Sequence, residues 1–334
     1  MKDLLVVSAS PHIKGKTNIN LAMKLVIIAL LPTLIFSNYL FGLRVLIITL
    51  ISIVTCIVCE AVMQKMLGRN ITVADGSAVL TGLLLAFNLP PGVPLWLPAV
   101  GSGFAIIFAK QLFGGLGYNF INPALAGRAF LMASWPSFMT KEWLRPIGGT
   151  LSGIDGITGA TPLNLLKNPA NYGDPNMIIS RLNDVETIKN LFFCKVGGCI
   201  GETSALLLLI GGLFLIFIRI VDYRIVVGYL GSFTLLALFL PTNGSLLFHL
   251  FSGGLFLGAF FMATDWVTSP VTSKGRWIFG IGCGILTIII RVWGGYPEGV
   301  SYSILLMNVF TPAIDRLTKE RVFGELPKKK ESKK

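Results

Sequence analysis

Long apolar runs dominate the chain, each closed by a short interval of polar, Gly or Pro residues. A bilayer core of about 30 Å needs roughly 20 apolar residues in one helix. The pattern predicts ten crossings, near 21–41, 45–66, 76–89, 95–113, 121–135, 199–218, 224–240, 246–263, 276–292 and 299–315. Several are short or interrupted. The third runs into Asn88-Leu89-Pro90-Pro91-Gly92, and the eighth into Thr264-Asp265-Trp266. The stretch Ser77–Pro91 echoes Ser252–Asp265, and Phe113-Gly114-Gly115 echoes Trp293-Gly294-Gly295. The expected fold is an all-α polytopic membrane protein of about ten transmembrane helices, arranged as two inverted five-helix repeats with some helices broken. Inverted repeats with broken helices in matching positions place ligand sites near the bilayer midplane. The chain then divides into an N-terminus (1–20), a first membrane repeat (21–135), a polar loop (136–198), a second repeat (199–315) and a basic tail (316–334).

Composition agrees with that reading. Of 334 residues, 53% are hydrophobic and 13% charged, against about 25% charged in a soluble domain. The net charge of +12 does not imply nucleic acid, because its basic residues sit in short loops and in the tail Arg316–Lys334, which can lie against anionic lipid. With the N-terminus in the cytoplasm, eighteen basic residues fall inside, Lys110 among the loop residues, and the short outer loops hold only Arg44 and Arg291. The positive-inside rule therefore puts both termini in the cytoplasm and the 136–198 loop on the outer face. All six Trp lie in or near predicted helix ends, as an interfacial belt requires. No cleavable signal peptide is expected, since no small-residue cleavage site follows the first apolar run. Cys56-x-x-Cys59 falls within an apolar helix and reads as packing; Cys194 and Cys199 would pair only on an oxidising face. No metal site is expected.

Few polar groups fall within the spans, and each is costly there. Asn119, Asn122 and Arg128 are spaced at three, six and nine residues, so they can share a helical face. Their donors and acceptors suit a planar heteroaromatic ring or a phosphate; the other reading is an Arg paired with a structural carboxylate. Asp265 is the natural partner for an Arg or a cation, and Asp265 and Glu60 are the candidates for ion coupling. Glu202 lies near the start of the sixth span. Asp75-Gly76-Ser77 reads as the N-cap of the third helix. His12 and His249 are isolated, and the chain has no P-loop, no H-E-x-x-H and no Rossmann fingerprint. In the polar loop, Asp155-Gly156-Ile157-Thr158-Gly159-Ala160-Thr161 precedes Pro162. Turn chemistry explains it. So does a need for close approach to the Thr161 hydroxyl, which Gly159 and Ala160 leave uncrowded.

These stretches, taken in order, carry a resemblance. Leu89-Pro90-Pro91-Gly92, Phe113-Gly114-Gly115 through Asn122-Pro123-Ala124-Leu125 to Arg128, Thr158-Gly159-Ala160-Thr161-Pro162, and Met262-Ala263-Thr264-Asp265 resemble the D subunits of the Rnf complex, ferredoxin:NAD⁺ oxidoreductases. The related B subunit of sodium-pumping NADH:quinone reductase shares the pattern. The resemblance implies a translocase subunit without catalytic side chains of its own. It implies FMN joined through its phosphate to Thr161, attached by a flavin transferase that reads Asp155, Gly159 and Ala160. It also implies a noncovalent riboflavin within the membrane, a urea-transporter-like fold, the inner membrane as location, and the A, B, C, E and G subunits as partners. Asn119, Asn122 and Arg128 are candidate ring or phosphate contacts beside that resemblance. A plain solute channel on the same fold is the rival reading.

Overall fold

A computed structural model describes residues 18–144, 161–167, 174–193, 197–240, 244–295 and 298–319. Its regular elements are helical and fall on the apolar runs. They are α1 (Ile19–Phe41), α2 (Leu43–Met66), α3 (Ser77–Phe87), α4 (Trp96–Ile106), α5 (Pro123–Ser134) and α6 (Pro136–Lys141). Three short helices come from the polar loop: α7 (Pro162–Lys167), α8 (Pro175–Leu182) and α9 (Val185–Phe193). Then follow α10 (Ala205–Phe217), α11 (Tyr223–Phe239), α12 (Leu246–Phe251), α13 (Leu255–Leu257), α14 (Ser273–Trp293) and α15 (Val300–Leu317).

Side-chain caps set many of the starts. Asn18, Ser204, Asp222, Ser245 and Thr272 each accept a backbone N–H in the first turn of the helix that follows. Asp75 does the same for α3, its Oδ1 accepting from Ser77 N at 2.7 Å and from Ser77 Oγ at 2.6 Å. Among the described residues, α1, α2 and α14 are the helices long and apolar enough to cross a membrane by length and composition alone. Others are cut short. The helix α4 passes into a π turn at Ile107–Gln111, and α13 into another at Gly258–Met262. Between α12 and α13, Gly253 turns the chain at φ +70°.

Large apolar side chains such as Ile35, Val54, Phe217 and Phe239 are exposed on the helix surfaces. In water so broad an apolar exterior would drive association; in lipid it costs nothing. Helix pairs approach through glycine, as membrane interfaces favour. A Cβ on Gly82 of α3 would lie 2.7 Å from the Ile53 Cα of α2. A Cβ on Gly280 of α14 would lie 2.4 Å from the Ile225 carbonyl oxygen of α11. Across α4 and α5, Gly127 brings its backbone against the Gly101 carbonyl, where a Cβ would come within 2.8 Å. Trp96 and Trp135 meet edge to face at the start of α4 and the end of α5, so the two helices are antiparallel.

The α11–α14 contact gives a direct test. Gly280→Ala should destabilise the detergent-solubilised protein by ~1–3 kcal/mol through overpacking against backbone. Gly231→Ala, on α11 with nothing within 4 Å of the new methyl, should leave thermal unfolding unchanged. Equal effects of the two substitutions would show that the α11–α14 approach is not tight.

Candidate functional site

Thr161 is positioned by the short helix it precedes. Its carbonyl accepts from Leu165 N at 3.0 Å and its Oγ1 from Asn164 N at 3.3 Å, while Pro162 takes the first helical position, where no N–H is needed. Leu163 and Leu166 of α7 then bury themselves with Leu182, Leu191 and Phe248. Gly253 makes that docking possible, since a Cβ there would sit 2.6 Å from Leu163 Cδ1. Lys167 donates from Nζ to the Gly294 carbonyl beyond α14, and burial lowers its ammonium from the ordinary lysine value. A polar-loop segment is thus bolted onto the helices that follow it. Asp155, Thr158, Gly159 and Ala160 lie outside the described residues.

Thr161 lines a cavity of about 360 Å³, together with Arg128, Glu202, Glu298 and Ser301. Met132, Met139, Trp143, Leu163 and Phe251 supply apolar wall. Arg128 projects from α5 and is almost wholly buried. One end of its guanidinium donates to Asn88 Oδ1 at 3.0 Å and to Ser301 Oγ at 2.7 Å. The other end pairs with Glu298 and reaches Cys199 Sγ at 3.9 Å. Glu298 also accepts from Gly254 N at 3.1 Å. Cys199, Glu202 and Glu298 each bring one ligand-type atom within 4.8 Å of the others, but the positive charge in this group is the Arg128 guanidinium. Arg291, expected in an outer loop, is instead buried in α14. It donates to the carbonyls of His249 at 2.6 Å and Ser252 at 3.1 Å, and it lies over the Phe233 ring.

A second polar cluster lies at the opposite end of α4. Lys110, which the apolar pattern places in a loop, is 1% exposed and sits in the π turn. Its Nζ is 2.9 Å from both carboxylate oxygens of Glu60, itself fully buried, and donates to Ser77 Oγ at 2.6 Å. Gln111 Nε2 donates to Glu60 Oε1 at 2.8 Å. Beside this cluster a smaller cavity, about 90 Å³, is lined by Lys110, Ser77, Asn119, Asn122, Asp265 and Trp266.

The expectation that Asn119, Asn122 and Arg128 share one helical face does not hold. The helix α5 begins only at Pro123, so Asn119 precedes it and Asn122 is its cap. Asn122 Oδ1 accepts from Ala124 N and Leu125 N, and its Nδ2 donates to the Met262 carbonyl at 3.2 Å. The two Asn line the smaller cavity and Arg128 the larger. Asp265 is not the partner of Arg128 either; its carboxylate accepts from Thr268 Oγ1 at 3.1 Å and from Val267 N at 3.4 Å. Cys199 is a free thiol, and Cys194 lies outside the described residues. Sequence reasoning misses Glu298 and Lys110 as site residues. Both stand where a polar residue looks interfacial, one in Pro297-Glu298-Gly299 and the other at the end of an apolar run. The one available signal is arithmetic: a buried Arg128 and a buried Glu60 each need an opposite charge.

An all-helical membrane protein with two buried, charge-paired polar clusters, each opening on a cavity, is the class these features define. The chain belongs to the NQR2, RnfD, RnfE family, whose model matches residues 6–324. It is 52% identical to the D subunit of the Na⁺-translocating ferredoxin:NAD⁺ oxidoreductase complex of Acetobacterium woodii, over 98% of each chain. It is 43% identical to the D subunit of the proton-translocating ferredoxin:NAD⁺ oxidoreductase complex of Clostridium ljungdahlii, over 97% of each. It is 40% identical to the D subunit of the ion-translocating oxidoreductase complex of Stutzerimonas stutzeri, over 92% of this chain and 93% of that one.

The Arg128–Glu298 pair sets a stability test. Arg128→Met leaves a buried carboxylate without its cation and should cost ~3–5 kcal/mol. Adding Glu298→Gln to Arg128→Met should recover part of that loss in thermal unfolding of the solubilised protein. Strict additivity of the two substitutions would mean the side chains do not interact.

Proposed function

We propose that this chain is the D-type membrane subunit of an ion-translocating ferredoxin:NAD⁺ oxidoreductase complex, carrying electrons across the bilayer with FMN linked to Thr161 and a noncovalent riboflavin. The observation that carries the reading is the place of Thr161. The last residue of the Asp155–Thr161 motif reaches a cavity of about 360 Å³, a size within the roughly 300–1,000 Å³ of small-molecule sites. The cavity combines apolar and aromatic wall with the buried Arg128–Glu298 pair and the Glu202 carboxyl, a mainly apolar lining of the kind that takes a planar ring. FMN, when bound, supplies the electron chemistry that no side chain of this protein offers.

The protein's own residues hold and shield. Thr161 offers the hydroxyl for a phosphoester. Its place at the head of α7, with Leu163 and Leu166 buried behind it, fixes the tether against the membrane helices. Met132, Met139 and Phe251 supply apolar wall to the cavity. Arg128 spends both ends of its guanidinium on Asn88, Ser301 and Glu298, and so braces the cavity wall. Asp155, Gly159 and Ala160 serve as the mark a flavin transferase reads. Asn119 and Asn122 line the smaller cavity, but at about 90 Å³ it is too small for riboflavin and both ends of the Asn122 amide are bonded to backbone, so the noncovalent riboflavin is not assigned to it.

Ten crossings in two inverted five-helix repeats fit the helix order, with α3 and α12–α13 as the broken members. The excess of basic residues in the predicted inner loops and tail supports cytoplasmic termini and a Thr161 cavity on the outer face. Partners would be the A, B, C, E and G subunits, with a flavin transferase during maturation. The complexes named for the Acetobacterium woodii and Clostridium ljungdahlii relatives differ in ion, Na⁺ in one and H⁺ in the other, and Asp265 and Glu60 are the carboxylates that would serve either.

Ultraviolet fluorescence on a denaturing gel tests the covalent flavin. Protein made together with a flavin transferase should give a fluorescent band. That band should vanish in Thr161→Ala and persist in Thr158→Ala. A dark wild-type band under those conditions would sink the reading.

A further inference from the structure

The end of α10 departs from a rule that the end of α2 keeps. Both helices close with the same left-handed turn. After α2, Gly68 takes φ +65°, its N–H donating to the Lys65 carbonyl at 3.2 Å while Arg69 N donates to the Gln64 carbonyl at 2.8 Å. After α10 the matching position is Arg219, at φ 61°. Its N–H donates to the Ile216 carbonyl and Ile220 N to the Leu215 carbonyl, both at 3.0 Å. Glycine is the usual occupant of this position, because a Cβ there crowds the following carbonyl. Among the described residues Arg219 is the one non-glycine at positive φ. Its side chain is exposed and, among those residues, makes no hydrogen bond or ion pair. The backbone strain is not repaid within the chain, and an unrepaid outlier points to a use.

Arg219 lines an open groove of about 790 Å³ with Phe217, Asp222, Tyr223, Trp266 and Arg276. The groove is electropositive. The helices α11 and α14 run parallel, Gly280 meeting Ile225 and Gly284 meeting Tyr229, so two positive helix ends fall at this edge. Asp222 pairs with Arg276. Arg224 donates to Ser273 Oγ at 2.7 Å and, like Arg219, meets no carboxylate among the described residues. Trp266 fixes the turn, donating from Nε1 to the Ile220 carbonyl at 2.8 Å. Beside the charges the surface is apolar: Phe217 is 86% exposed and Val271 76%, and Leu213, one turn back along α10, is exposed as well. Arginine next to Trp and Tyr, above an apolar strip, is the arrangement of a membrane interface.

We propose that this groove binds one anionic phospholipid, its headgroup phosphate held by Arg219 with Arg224 adding charge, and its acyl chains lying along Phe217 and Leu213 of α10. The ligand must carry negative charge at one end and hydrocarbon at the other. Free phosphate makes no use of the apolar strip, and an acidic protein segment does not match it. Bound there, the lipid supplies the anion that the strained Arg219 lacks and pins the turn between α10 and α11 to the membrane surface.

Photolabelling of the assembled complex tests the site. The complex is placed in phosphatidylcholine vesicles with a trace of phosphatidylglycerol bearing a diazirine in one acyl chain, and labelled peptides are mapped by mass spectrometry. Peptides of α10 should be labelled about fivefold more strongly by this probe than by a phosphatidylcholine probe with the same diazirine. Arg219→Gly removes the charge and relieves the backbone, so it should lower α10 labelling to the phosphatidylcholine level without lowering the unfolding temperature. Arg219→Lys should keep most of the labelling. The lipid-facing side of α2, with Val54 and Val58 exposed, serves as the internal control and should not change. Equal labelling by the two probes, or full labelling in Arg219→Gly, overturns the proposal. So does an α10 that neither probe reaches, since a neighbouring subunit then covers the groove. Loss of labelling in excess inorganic phosphate would reassign the site to free phosphate.

Discussion

The cost of a charge inside a membrane governs this protein. An unpaired ionised group in a low-dielectric interior is several kcal/mol unfavourable even after relaxation, yet Lys110, Arg128 and Arg291 are all buried. The first two meet carboxylates, and Arg291 rests on two carbonyl oxygens and the face of Phe233. Because the partners come from distant parts of the chain, the charges dictate which helices must be neighbours. Arg128 alone ties α5 to the end of α3 through Asn88 and to the start of α15 through Ser301 and Glu298.

Close helix approach makes those pairings possible. Glycine at Gly82, Gly127 and Gly280 lets backbones come nearer than any side chain would allow, and without a hydrophobic force between helices in lipid this packing is what holds the bundle. The breaks in the helices then leave polar backbone and side chains facing cavities rather than lipid. At one end the loop helix α7 closes over a cavity with Thr161 at its rim. At the other, the π turn of α4 presents Lys110 to a smaller one. The same charge economy shapes both, and membership of the NQR2, RnfD, RnfE family fits the purposes proposed for them: cofactor chemistry at one and ion handling at the other.

The two cavities are separated along α5. Asn122 caps the helix on the side of the small cavity and is tied to Met262, while Arg128, further along the same helix, faces the large one. The element between them is short and regular.

The sequence by itself determined the class, the places of the helices and the family. Those are properties of apolar run length, of capping residues such as Asn18 and Asp222, and of motifs contiguous in the chain. It also marked Thr161, because the motif around it is local. The tertiary structure alone decided the pairings. Nothing adjacent in sequence joins Arg128 to Glu298, 170 positions away, or Lys110 to Glu60, 50 positions away. Periodicity misled at Asn119 and Asn122, where Pro123 starts the helix later than the spacing assumes. Loop counting misled at Lys110 and Arg291, since a cation at the end of an apolar run looks interfacial until the opposing helix supplies its partner. Local backbone preference is written residue by residue, whereas the neutralisation of a buried charge depends on what folding brings to it.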